Sequence, residues 1–145
     1  MSDHAPCHRA ALAAALALLA VGGASAATAA PAIPLNNGQE TTDAKGGAHG
    51  MFSYTIDGDQ FCYTIEVTGL TVPAGAAHVH SAPRGEAGPI RIHLDVPNET
   101  SFAVDGCTTV TDPSILAGIQ EDPGDWYVNV HTQTYPGGEV RGQLK

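Results

Sequence analysis

Residues 60–69, QFCYTIEVTG, alternate between apolar and polar side chains without a break. Phe61, Tyr63, Ile65 and Val67 fall on one face, and Cys62, Thr64 and Glu66 on the other. Successive side chains of a strand point to opposite faces of a sheet. The pattern therefore suits a half-buried strand and not a helix, whose period is about 3.6. The alternation recurs in HGMFSYTID at 49–57, with Phe52, Tyr54 and Ile56 inward, and in PIRIHLDV at 89–96, with Ile90, Ile92, Leu94 and Val96 inward. It recurs again in WYVNVHT at 126–132, with Val128 and Val130 inward, and in GEVRGQLK at 138–145. Weaker strands are expected at 35–40, 76–80 and 100–104. DGD at 57–59 signals a tight hairpin. One short helix is expected near 113–120, capped by Asp112, opened by Pro113 and buried through Ile115, Leu116 and Ile119. About eight short strands with Gly/Pro turns predict an all-β fold, an antiparallel Greek-key β-sandwich.

That domain is expected over 35–145. Residues 1–26 read as a secretory signal peptide: a polar start closed by Arg9, the apolar run AALAAALALLAV at 10–21, and Ala24 and Ala26 as the small residues of a cleavage site. The apolar run is too short to cross about 30 Å of hydrocarbon as a helix. ATAAPAIP at 27–34 is expected to be a flexible leader. The mature chain is then secreted or periplasmic, with no membrane span. In an oxidising compartment the two cysteines left after signal removal, Cys62 and Cys107, are expected to form a disulfide.

The formal net charge of −9 repels nucleic acid and anionic lipid, and no basic stripe offsets it. The chain has no G-x-S-x-G elbow, no unpaired cysteine in the mature domain and no phosphate-binding glycine loop, so no catalytic residue is assigned. These absences favour a binding module over an enzyme. Its partner is expected to be an extracytoplasmic protein or a metal ion.

AAHVHSAPRGEAGPI at 76–90, followed by WYVNVHTQTYPGGEVRGQLK at 126–145, resembles the CHRD domain named after chordin. The upstream LNNGQETTDAKGGAHGMFSYTIDGDQFCYTIEVTGL resembles the family's opening hairpin. The likeness covers about residues 35–145. It implies an all-β sandwich similar in architecture to copper/zinc superoxide dismutase. A shared architecture does not carry a shared chemistry.

His78 and His80 are two apart, so both leave the same face of a strand while Val79 enters the core. Val128 and Val130 likewise send His131 outward. The resemblance implies that the two strands are neighbours, in which case three imidazoles converge. Three neutral imidazoles suit Cu²⁺ or Zn²⁺. The dismutase copper site is similar, with an H-x-H on one strand and a histidine from another, and the matching positions here are His78, His80 and His131. SAPRGEAGP at 81–89 is too short to match that enzyme's zinc loop. His93, on the polar face of the next strand, is a weaker candidate, and His49 is expected at the surface. Asn129, Glu139 and Arg141 are expected around the ligands, with Glu139 and Arg141 as a cross-strand pair. Two other readings stand beside a metal-binding module. One is a dismutase-like copper redox enzyme, with Arg141 guiding an anionic substrate. The other is a structural or adhesive module, whose histidines hydrogen-bond and hold the 81–88 loop against the sheet.

Overall fold

The computed structural model describes residues 30–145; the expected signal peptide at 1–26 and the start of the leader lie outside the described residues. Eight strands form: β1 (Ile33–Asn36), β2 (His49–Asp57), β3 (Gln60–Thr68), β4 (Ala74–Ser81), β5 (Ile90–Leu94), β6 (Phe102–Thr109), β7 (Trp126–Thr132) and β8 (Val140–Gln143). All pair antiparallel in one sheet of order β5-β4-β7-β8-β1-β2-β3-β6. The chain crosses from one end of that order to the other between β3 and β4 and again between β5 and β6. The two ends of the order come together through side chains. The Thr108 hydroxyl donates to His93 O at 3.0 Å, and the Tyr63 hydroxyl donates to Asp95 O at 3.0 Å and accepts from Asp95 N–H at 2.7 Å. The expected all-β architecture is therefore a sheet rolled almost closed around a single core.

That core is what the alternation demands. Phe61, Tyr63, Ile65 and Val67 of β3, Phe52 of β2, Val79 of β4, Val128 and Val130 of β7 and Val140 of β8 are all buried in it. The β2–β3 hairpin turns on Gly58, whose φ of 59° lies in the left-handed region that glycine tolerates. The expected disulfide is present: Cys62 on β3 and Cys107 on β6 are direct register partners and are bonded. Helix α1 (Pro113–Glu121) starts where expected, with the Asp112 carboxylate accepting from Ser114 N–H at 3.0 Å, and it buries Ile115, Leu116 and Ile119. No helix among the described residues is long and apolar enough to cross a membrane.

Three expectations are corrected. Ile33 and Pro34, assigned to the leader, belong to β1, because Ile33 fills a core position opposite Phe52. The strand expected over 35–40 ends at Asn36 and continues as a single 3-10 turn, Asn37–Gln39. Ile90, expected in the core, is 45 % exposed. The β4–β5 register shifts between Val79, opposite Ile92, and His80, opposite Ile90, so the bulge reverses the inward phase of β5 at that point.

Candidate metal centre

Register brings the histidines together. β4 is flanked by β5 and β7. His78 is opposite His93 on β5 and Asn129 on β7, while His131 is opposite Ala76, one step along the same face. The His78 ring centroid lies 5.6 Å from His80 and 4.8 Å from His131, and His80 lies 5.6 Å from His131. One ring nitrogen of each of the three lies within 4.8 Å of the others. His93 stands edge-on to His78, centroids 4.7 Å apart, but is exposed and outside that group. His49 is exposed on β2, its Nδ1 bonded to Gly47 O.

The expectation that these side chains stand on a solvent-facing surface is corrected: His80 is 5 % exposed, and His78 and His131 are half-buried. Segments 82–88 and 133–139 cover the face that the alternation turns outward. Both segments also fix the imidazoles. His80 Nδ1 is 2.9 Å from Gly88 O, and His131 Nδ1 is 2.8 Å from Pro136 O. A carbonyl only accepts, so each Nδ1 carries the proton and each Nε2 presents a bare lone pair. His80 Nε2, His131 Nε2 and His78 Nδ1 are buried without a hydrogen-bond partner. Among the described residues only two other buried side-chain atoms lack one, Asn129 Oδ1 and Glu40 Oε1.

Burial keeps the rings neutral. It lowers His78 to about 4, aided by His131, His93 and His80. It also lowers His80 and His131, against the raising effects of the Gly88 and Pro136 carbonyls respectively. Neutral imidazoles have no proton to displace before taking a metal.

The surrounding residues depart from expectation in two places. Glu139 and Arg141 do not pair. The Glu139 carboxylate, fully buried, accepts from Thr71 N–H at 2.7 Å, the Thr71 hydroxyl at 2.9 Å and the Thr132 hydroxyl at 2.7 Å. Arg141 is 1 % exposed, and its guanidinium donates to Glu86 O at 2.7 Å, Pro83 O at 3.0 Å and Gln143 Oε1 at 3.0 Å. A guanidinium so engaged anchors the 82–88 loop and does not steer a diffusing anion. Gln143 supports the same loop through Ala82 O, 2.8 Å away. Asn129, 1 % exposed, donates from Nδ2 to Gly137 O at 3.3 Å.

Two residues went unassigned in the sequence. Tyr127 stacks on His80 and accepts from Gly88 N–H at 3.2 Å. Its place on the polar face of β7, two residues from Asn129, was a usable signal. Glu40 had none, standing in a polar run after β1. Its carboxyl is raised to about 7 by burial, against the lowering effects of Arg141 and Asn129. Above the histidines opens a cleft of about 390 Å³ whose walls include Gly75, Ala76, His78, Ile90, His131 and Pro136.

Residues 32–144 match the family model of the CHRD domain. No curated protein and no solved structure matches the chain.

Proposed function

The chain belongs to the CHRD domain family, and on that premise we propose that it is a secreted or periplasmic binding module that holds one copper or zinc ion through His78, His80 and His131. One observation carries this reading: three buried imidazole nitrogens without partners gather at one place. A buried polar atom left unpaired costs about 1–3 kcal/mol. Three such costs at one point are offset together by a single cation. The rings are neutral and two have their tautomers fixed by backbone carbonyls, the usual outer support of a metal-bound histidine. An all-imidazole set suits Cu²⁺ and Zn²⁺ over the harder cations that prefer oxygen. The histidines also hold loops, as the structural reading expects, but they do so through Nδ1 of His80 and His131, leaving the other nitrogens free for an ion.

Titration of chelator-treated protein with Cu²⁺ and with Zn²⁺, followed by calorimetry and elemental analysis, tests the reading. One equivalent is expected to bind. His80→Ala and His131→Ala are each expected to abolish stoichiometric binding, and His49→Ala to leave it intact. No binding by the wild type, or equal binding by the His80→Ala/His131→Ala double variant, refutes the metal site. Export rests on residues 1–26 and accords with the Cys62–Cys107 bridge. Intact mass of the exported protein is expected to show a new N-terminus near Ala27, and a mature chain still beginning at Met1 contradicts it.

A further inference from the structure

Asn129 is a buried polar residue directly opposite His78 in register and outside the three-imidazole set. It is opposite His78 and two residues before His131, so its side chain leaves β7 on the face they share. The orientation of its amide is fixed. Nδ2 donates to Gly137 O, and it also faces the Glu40 carboxyl. Gly138, at φ 129°, makes room for both, since a Cβ there would collide with Glu40 Oε1 and Asn129 Nδ2. With the nitrogen held on that side, Oδ1 is the free end of the amide, buried without a partner on the face that Asn129 shares with the histidines.

The proton inventory makes this grouping unusual. The proton of His80 is on Nδ1, committed to Gly88 O. Its Nε2 therefore carries a lone pair, and so does the Asn129 Oδ1 on the same face. Neither atom has a hydrogen-bond partner, and both are buried. An amide oxygen and a bare imidazole nitrogen repel one another unless something positive lies between them. His131 Nε2 adds a further lone pair without a donor, and His78 Nδ1 is likewise buried without a partner.

From this we infer that Asn129 Oδ1 is the fourth donor of the centre, which makes it a closed three-nitrogen, one-oxygen site rather than a three-histidine site with a position open to solvent. The inference rests on the metal reading above. Closed four-coordinate sites hold a metal for structure, whereas open ones leave room for water or substrate. Glu40 and the Gly137 carbonyl are then positioning groups that hold the amide oxygen inward. The apolar cleft over His78 and His131 is the route by which a small ligand reaches the centre once that donor is removed.

The test uses the full mature chain loaded with Cu²⁺, with free imidazole as the probe and visible absorption and electron paramagnetic resonance as readouts. Wild-type spectra are expected to stay unchanged as imidazole is added. Asn129→Ala is expected to bind copper about 10–100-fold more weakly and to acquire a saturable spectral response to one equivalent of imidazole. Asn129→Asp, which keeps an oxygen donor, is expected to bind copper tightly and to ignore imidazole. Circular dichroism and thiol labelling verify that each variant is folded. If Asn129→Ala does not fold, the wild-type imidazole titration and Asn129→Asp decide the question. Copper bound by wild type that itself takes up imidazole overturns the inference alone, as does an Asn129→Ala protein with wild-type affinity and spectrum. A wild type that binds no copper overturns the metal reading and this inference with it.

Discussion

His80 lies flat on Tyr127, the two rings 6° from parallel with centroids 4.8 Å apart. The Arg141 guanidinium carbon sits 3.4 Å from the centre of the same phenol ring. β7 runs between β4 and β8, so the imidazole and the guanidinium approach Tyr127 from its two neighbouring strands. The stack joins the candidate ligand to the residue that anchors the 82–88 loop, and the loop returns to His80 through Gly88 O. The orientation of His80 is thus fixed from two directions.

Tyr127→Leu removes the stack and the acceptor for Gly88 N–H together. It is expected to cost about 3 kcal/mol of stability in urea unfolding and to weaken Cu²⁺ binding. Tyr127→Phe keeps the stack and loses only the acceptor, at about 1–2 kcal/mol. Equal stability and affinity in the leucine variant and the wild type would deny Tyr127 this role.

Glu139→Gln probes the buried carboxylate between Thr71 and Thr132. All three of its partners donate. An amide that keeps its oxygen on Thr71 N–H turns its NH₂ group toward the two hydroxyls, which must then rotate to accept, so the charge-assisted bonds become neutral ones. The expected loss is about 1–2 kcal/mol, read as a lower urea midpoint at unchanged slope. A loss under half a kcal/mol would show that water takes the place of the carboxylate oxygen.

The pH dependence of the metal-free protein follows from two opposing groups. Burial depresses His78 from 6.5 to about 4 and lowers His80 and His131 as well. Between those values the unfolded chain takes up histidine protons that the folded chain refuses, so stability rises with pH through that window and is lost on acidification. Glu40, raised from 4.5 to about 7, acts the other way, because the folded carboxyl keeps a proton that the unfolded one has released. Three histidines against one carboxyl leave a net rise. The urea midpoint in the presence of chelator is expected to climb from pH 4.5 to 6.5, and to climb more steeply in Glu40→Gln. A flat profile, or an unchanged slope in that variant, contradicts the assignment.

Replacing both Cys62 and Cys107 by serine opens a loop of 45 positions. The chain-entropy estimate puts the loss at about 4 kcal/mol, a large share of an ordinary domain's stability. Guanidinium unfolding of the double variant against the oxidised wild type measures it. A difference below about 1 kcal/mol would mean that residual structure already confines the unfolded chain without the bridge.

Strand identity was legible because the side-chain period of a strand is local: QFCYTIEVTG needs no distant partner to declare its faces. The shared face of His78 and His80 was legible for the same reason. What covers that face was not. The segments 82–88 and 133–139 have no periodicity, and their seats are made by Arg141, Gln143, His80 and His131, some of them more than 50 residues away in sequence. Burial was therefore underestimated at His80, and Arg141 was assigned to solvent. Ile90 was misplaced because a bulge is a property of the pair of strands and not of either alone. Glu40 was missed because its surroundings, Asn129, Gly138 and Arg141, come from β7, β8 and the turn between them.

The first strand of this domain has the last as its neighbour: Asn36 is opposite Arg141, and Asn37 Nδ2 donates to Glu139 O across 102 positions of sequence. A chain made from its N-terminus onward holds β1 and β2 early but lacks one side of β1 until residues near 141 have appeared. The centre of the sheet is thus completed last during synthesis, and the growing chain stays without a closed core until almost all of it is available. The same holds for the candidate donors, since His131 and Asn129 come from the penultimate strand. An ion offered during synthesis would meet only the His78–His80 pair, and full coordination would mark the moment at which the whole domain has closed.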